Sequence, residues 1–220
     1  YSSYCDVSLR AKPKLEGISA GGKMNRLSTK TAQLVGMGIL TALVIVLQTF
    51  ASGFKIGTFS PPLSLIPIIM GAVLFGELAG AILGIVFGVV VLFAVISGAE
   101  PFSTLMLQYN PAFTVVICIF KGLLAGYVSG IVYKLLKGVN NIFATIAASV
   151  AAPVVNTGIF SVGMLTVFYP LLAQTASTAG AENVILFYFT IFIGVGFIFN
   201  LAFIAILVPG LLRIIKIVRK

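Results

Sequence analysis

"LAGAILGIVFGVVVLFAVIS", residues 78–97, contains no charged side chain and nothing strongly polar before its final serine. At 1.5 Å of rise per residue, twenty such residues make a helix about 30 Å long, the thickness of a bilayer's hydrocarbon core. Directly before it, Gly76-Glu77 reads as a tight turn. Before the turn, "PPLSLIPIIMGAVLFG" (residues 61–76) is a short, proline-rich apolar run. Working outward, further apolar stretches predict spans over about 31–52, 62–76, 111–135, 142–168 and 184–212. With 78–97 they number six.

Composition agrees with that reading. Of the 220 residues, 60% are hydrophobic and only 9% are charged. A water-soluble domain carries about 25% charged residues, so this chain lacks a soluble surface, and its mean hydropathy is +1.16. The expected fold is an all-α integral membrane protein built as one six-helix bundle. Residues 1–23 are polar and lack the apolar core of a signal peptide. They read as an N-terminal extension that is not part of the native chain, with Met24 as the native start and 24–220 as the single membrane domain. Gly17–Met24 (GISAGGKM) nearly matches a phosphate-binding loop. However, Met24 replaces the hydroxyl that would hold magnesium, and no strand precedes it. Histidine is absent, which removes Ser-His-Asp hydrolases, zinc proteases and histidine-ligated haem. Cys5 and Cys118 fall in a polar tail and in mid-span, so no disulfide is expected. No cofactor or metal is expected.

The net charge of +9 does not indicate nucleic acid, because the basic residues are sorted by side. If the N-terminus is cytoplasmic, twelve Lys and Arg lie inside (Arg10, Lys12, Lys14, Lys23, Arg26, Lys30, Lys134, Lys137, Arg213, Lys216, Arg219, Lys220) and only Lys55 outside. Such asymmetry orients a protein with both termini in the cytoplasm. Three longer loops, 53–61, 98–110 and 169–183, then face outward, and the inward connections are short and basic. A protein with elaborate outer loops is built to meet something from outside.

Lys121 lies in "ICIFKGLLAG" (117–126), ten or more residues from either end of its predicted span. Cys118, Gly122, Ala125 and Ser129 give it a small-residue neighbourhood that another helix can approach. A buried ammonium facing that way marks a functional site, whereas a snorkelling lysine would be structural. Glu77, Glu100 and Glu182 all fall at span ends, so the simplest counter-ion is an anionic ligand. Asn156, in "APVVNTGIFSVGM" after Pro153, and Asn200, one turn after Gly196, are further polar groups at depth. Each alone reads as an interhelical hydrogen bond, but with Lys121 they read as the lining of a cavity. Tyr109, Asn110, Phe113, Tyr188 and Phe192 lie toward the outer ends of the same spans and would form its walls. In the first span, Ala32, Gly36, Gly38 and Ala42 form overlapping small-xxx-small pairs, suited to a helix of the same bundle or to a separate subunit.

Residues 66–93, "IPIIMGAVLFGELAGAILGIVFGVVVLF", resemble spans two and three of the substrate-binding S-components of energy-coupling factor (ECF) vitamin transporters. The shared features are an Ile-Pro start, a Gly-Ala pair, a glycine-rich turn and glycines at four-residue spacing (Gly80, Gly84, Gly88). "NTGIFSVGM" is similar to their fifth span, "GLLAGYVSGIVYKLL" to the end of the fourth, and Gly38-x-x-x-Ala42 to the motif of the first. The likeness covers about residues 31–215. Glu77 departs from it, standing where proline is usual. So does Lys121, near where an arginine often precedes the glycine run.

The resemblance implies a vitamin-binding subunit in a bacterial plasma membrane. It would capture its ligand from outside and associate with a membrane coupling subunit and two cytoplasmic ATPases, then topple to release the ligand inside. Membrane lipids would be its other partners, and Gly38 and Ala42 its docking surface. The buried cation favours a carboxylated vitamin, pantothenate first, then folate, biotin or lipoate. The resemblance places ATP hydrolysis on the partners, so this chain is not expected to be an enzyme. The rival reading is an ion-coupled secondary transporter. It would usually need a titratable acid in mid-membrane, and none is predicted. A membrane enzyme has still fewer candidates, since Ser129 stands two turns from Lys121.

Overall fold

A computed structural model describes residues 21–53 and 63–194, together with Ile204, Val208, Gly210 and Arg213. Asn200, Lys55, the segment before Gly21 and most of the predicted sixth span lie outside the described residues. The described stretches 21–53 and 63–194 contain eight α-helices: α1 (Gly21–Gly53), α2 (Leu65–Phe75), α3 (Glu77–Ile96), α4 (Pro101–Tyr109), α5 (Pro111–Leu136), α6 (Asn141–Thr166), α7 (Tyr169–Thr178) and α8 (Val184–Phe187). A π-helical segment, Tyr188–Gly194, follows. There is no strand among the described residues.

Among the described residues, four helices are long and apolar enough to cross a bilayer: Lys30–Ser52 within α1, then α3, α5 and α6. With only 11 residues, α2 is about 16 Å long and too short to span on its own. It is correspondingly buried, with Leu65, Ile68, Ile69 and Ala72 at most 1% exposed. Gly76 ends it at φ +97, a conformation that a Cβ would strain, and Glu77 starts α3 at once.

Two sequence expectations need correction. The stretches 98–110 and 169–183 are not plain loops, because α4 and α7 occupy most of them. Both helices open with proline in the first turn, where its missing N–H costs no hydrogen bond. Each also buries an apolar side, Met106 on α4 and Leu172 and Ala176 on α7. The fifth predicted span also stops early, at Thr166 rather than 168, with Phe168 buried in the turn beyond it.

The frame is an antiparallel glycine contact between α3 and α5. A Cβ on Gly80 would meet the Gly126 carbonyl, one on Gly84 the Gly122 carbonyl, and one on Gly88 the Cys118 carbonyl. These three rungs, one turn apart, bring the two backbones together without side chains between them. Where α3 begins and α5 ends, Lys134 donates to Glu77 at 2.5 Å.

On its other side α5 packs against α6. Ser129 donates to the Ala148 carbonyl at 3.0 Å, and Ile117 fills the space left by Gly163. The core falls into two clusters. One joins α1, α2, α3, α5 and α6 along the bundle. The other gathers Met106, Ile117, Met164, Phe168, Leu172, Phe187 and Tyr188 under α4 and α7 at one end.

Candidate functional site

Lys121 sits where the two clusters meet. In α5 it is one turn from Ile117 and from Ala125, both on the side that faces α6. The antiparallel register fixes its neighbours. Ser129 pairs with Ala148, so Ala125 falls opposite Ala152, both fully buried, and one further turn brings Lys121 level with Asn156. The Lys121 Nζ lies 5.1 Å from the centroid of the Phe160 ring, and Phe160 is one turn beyond Asn156. Lys121 therefore meets an aromatic face on α6, one turn from Asn156.

Energetics decide how complete this arrangement is. An ammonium at mid-bilayer costs about 2.5–3.5 kcal/mol on the insertion scale and more in simulation. A cation–π contact returns roughly 0.5–2 kcal/mol. No carboxylate pairs with Lys121 among the described residues: Glu77 is held by Lys134 at the far end of the bundle, and Glu100 accepts from Ser103 at the start of α4. The contact with Phe160 alone therefore leaves the charge under-compensated.

Asn156 carries the complementary deficit. Its Oδ1 is buried and has no hydrogen-bond partner, where such atoms ordinarily find one. Tyr188 is fully buried. It donates to Ser161 Oγ at 3.1 Å, and Ser161 donates in turn to the Thr157 carbonyl at 2.7 Å. This chain of hydrogen bonds ties the start of the π-helical segment to α6, next to Phe160. Turns of π-helix are often found at functional sites.

The other sequence-derived candidates stand elsewhere or are committed. Tyr109 is half-exposed at the end of α4, its ring 6.1 Å from that of Phe168. Asn110 caps α5, its side chain accepting from the Phe113 amide at 3.2 Å. Both belong to the rim beneath α4 and α7, and Asn200 lies outside the described residues. Gly38 and Ala42 are on the exposed side of α1, with no atom within 4 Å of where a Gly38 Cβ would sit. Gly36 faces inward instead, against the Phe75 ring. Phe160 and Ser161 were not singled out from the sequence. Their signal was the spacing in "NTGIFS", where Phe160 falls one turn from Asn156.

The sequence pattern of the family described as "ECF transporter, substrate-specific component" matches residues 32–212. The chain belongs to that family. An ECF substrate-specific component is the substrate-binding subunit of an importer and is not itself an enzyme. The family also implies a small-molecule or vitamin substrate, separate membrane and ATPase modules, and a multi-pass membrane protein, in keeping with the four long apolar helices. Comparison with curated proteins and with solved structures returns no match.

Proposed function

We propose that this substrate-specific component binds a carboxylated vitamin, pantothenate first among the candidates, with Lys121 as the counter-charge. The observation that carries the reading is the under-compensated ammonium of Lys121, which meets only the Phe160 ring on the facing helix among the described residues. A carboxylate there would supply the missing opposite charge in a medium of low dielectric, where ion pairing is strong. Asn156, Asn200 and Tyr188 would line the pocket, with Tyr109 and Asn110 at its mouth.

The sorted basic residues support a six-span bundle with both termini cytoplasmic in a bacterial plasma membrane. On that orientation the end capped by α4 and α7 faces outward, and ligand enters from there. Residues 24–220 form the single membrane domain, and 1–23 lie outside it. Gly38 and Ala42 form the docking surface for the coupling subunit, which works with two cytoplasmic ATPases.

The test begins with native mass spectrometry of gently purified protein, to detect a co-purified small molecule. Titration of pantothenate into wild type and Lys121→Met follows. The reading expects a bound carboxylate, and loss of binding in the variant without loss of the folded state. A bound neutral vitamin, or unchanged affinity in Lys121→Met, would overturn the role of the lysine.

A further inference from the structure

We infer that Asn156 is a specificity-determining residue that demands a hydrogen-bond donor in the ligand. It thereby favours ligands with such a donor over carboxylates that carry no second polar group. The inference rests on the proposed anionic ligand and adds a second requirement to it. The Asn156 Oδ1 is a pure acceptor, and it is buried without a partner. Asparagines that serve only to join helices are satisfied by the helix they join, and here α5 offers opposite it the ammonium of Lys121, which is directed at Phe160. Ser161, the next polar side chain on α6, already donates to Thr157. An N–H or O–H on the ligand would complete Asn156 in the same event in which a carboxylate completes Lys121. Reaching the oxygen requires a side-chain rotation, since Oδ1 is covered in the ligand-free protein.

The matched pair of groups sets the chemistry of the ligand. It carries a carboxylate and also a hydroxyl or amide N–H. Pantothenate has both, whereas lipoate and octanoate have only the carboxylate. Because the acceptor is already unpaired, a ligand that brings a donor gains a hydrogen bond that a donorless acid cannot make.

The experiment titrates pantothenate, lipoate and octanoate into wild type, Asn156→Leu and Lys121→Met, and records the melting temperature of each ligand-free protein. In wild type, pantothenate should bind far more tightly than the two donorless acids. Asn156→Leu should weaken pantothenate about tenfold to a hundredfold, leave octanoate unchanged or tighter, and raise the ligand-free melting temperature by removing an unpaired buried acceptor. Equal losses for all three acids, or a lowered melting temperature, would make Asn156 a structural residue and overturn the inference. Wild-type affinity for octanoate equal to that for pantothenate would do the same. Failure of Lys121→Met to weaken any acid instead removes the counter-charge reading, which separates the two claims.

Discussion

On the proposed reading, the contact between Lys121 and Phe160 holds the ammonium until an anionic ligand binds. A cation–π contact within about 6 Å of the ring centroid is worth roughly 0.5–2 kcal/mol, and it is the only favourable partner of the ammonium among the described residues. Phe160→Leu should therefore destabilise the ligand-free protein by about 0.5–2 kcal/mol beyond its packing loss. The loss should shrink when pantothenate saturates the site. Thermal melts with and without ligand check this, and an equal loss in both states would mean that the ring acts through packing alone. Lys121 and Asn156 stood out in the sequence because a charge and an amide in apolar runs have few structural uses. The contact of Lys121 with Phe160 did not, because it depends on the register of α5 against α6. That register is set by Ser129 bonding to Ala148 and by Ile117 seating on Gly163. No spacing within either helix encodes it.

Two backbones can touch along α3 and α5 because both helices present glycine at four-residue spacing on the facing sides. At the middle rung, Gly84 and Gly122 each point at the other's carbonyl. Gly122→Ala should cost about 1–3 kcal/mol through overpacking, since helix backbones cannot yield as a flexible side chain would. Gly158→Ala in α6 meets no atom within 4 Å and should be neutral or stabilise by up to about 1 kcal/mol through helix propensity. Melting curves in detergent compare the two, and similar values would mean that the contact is looser than its geometry indicates. The long spans were legible at this scale because twenty apolar residues have few alternatives. The helices α4 and α7 were not, since each has only nine or ten residues and mixes polar with apolar positions. What holds them is the second cluster, where Met106, Phe168 and Leu172 meet, and that arrangement comes from chain segments far apart in sequence.

A ligand-binding subunit that works with separate modules needs two surfaces that do not interfere, one for the ligand and one for the partner. The small residues of α1 divide along these lines. Gly36 is used within the bundle, where Phe75 occupies the space its side chain would take, so Gly36→Leu would damage the fold and test nothing else. Gly38 lies on the outward side beside Ala42, among exposed apolar residues such as Leu34, Ile45 and Val46, and a side chain there meets nothing within 4 Å. Gly38→Leu should therefore leave the melting temperature and the pantothenate affinity of the isolated subunit unchanged. In cells that also hold the coupling subunit and ATPases, uptake should fall at least tenfold, because a bulky residue on a small-xxx-small face keeps a partner helix from close approach. Binding and uptake measured side by side distinguish the outcomes. Intact uptake would place the docking surface elsewhere on the bundle. Loss of both would mean that the two surfaces are coupled through α1, most directly through Gln48, which accepts from Ser64 at the start of α2.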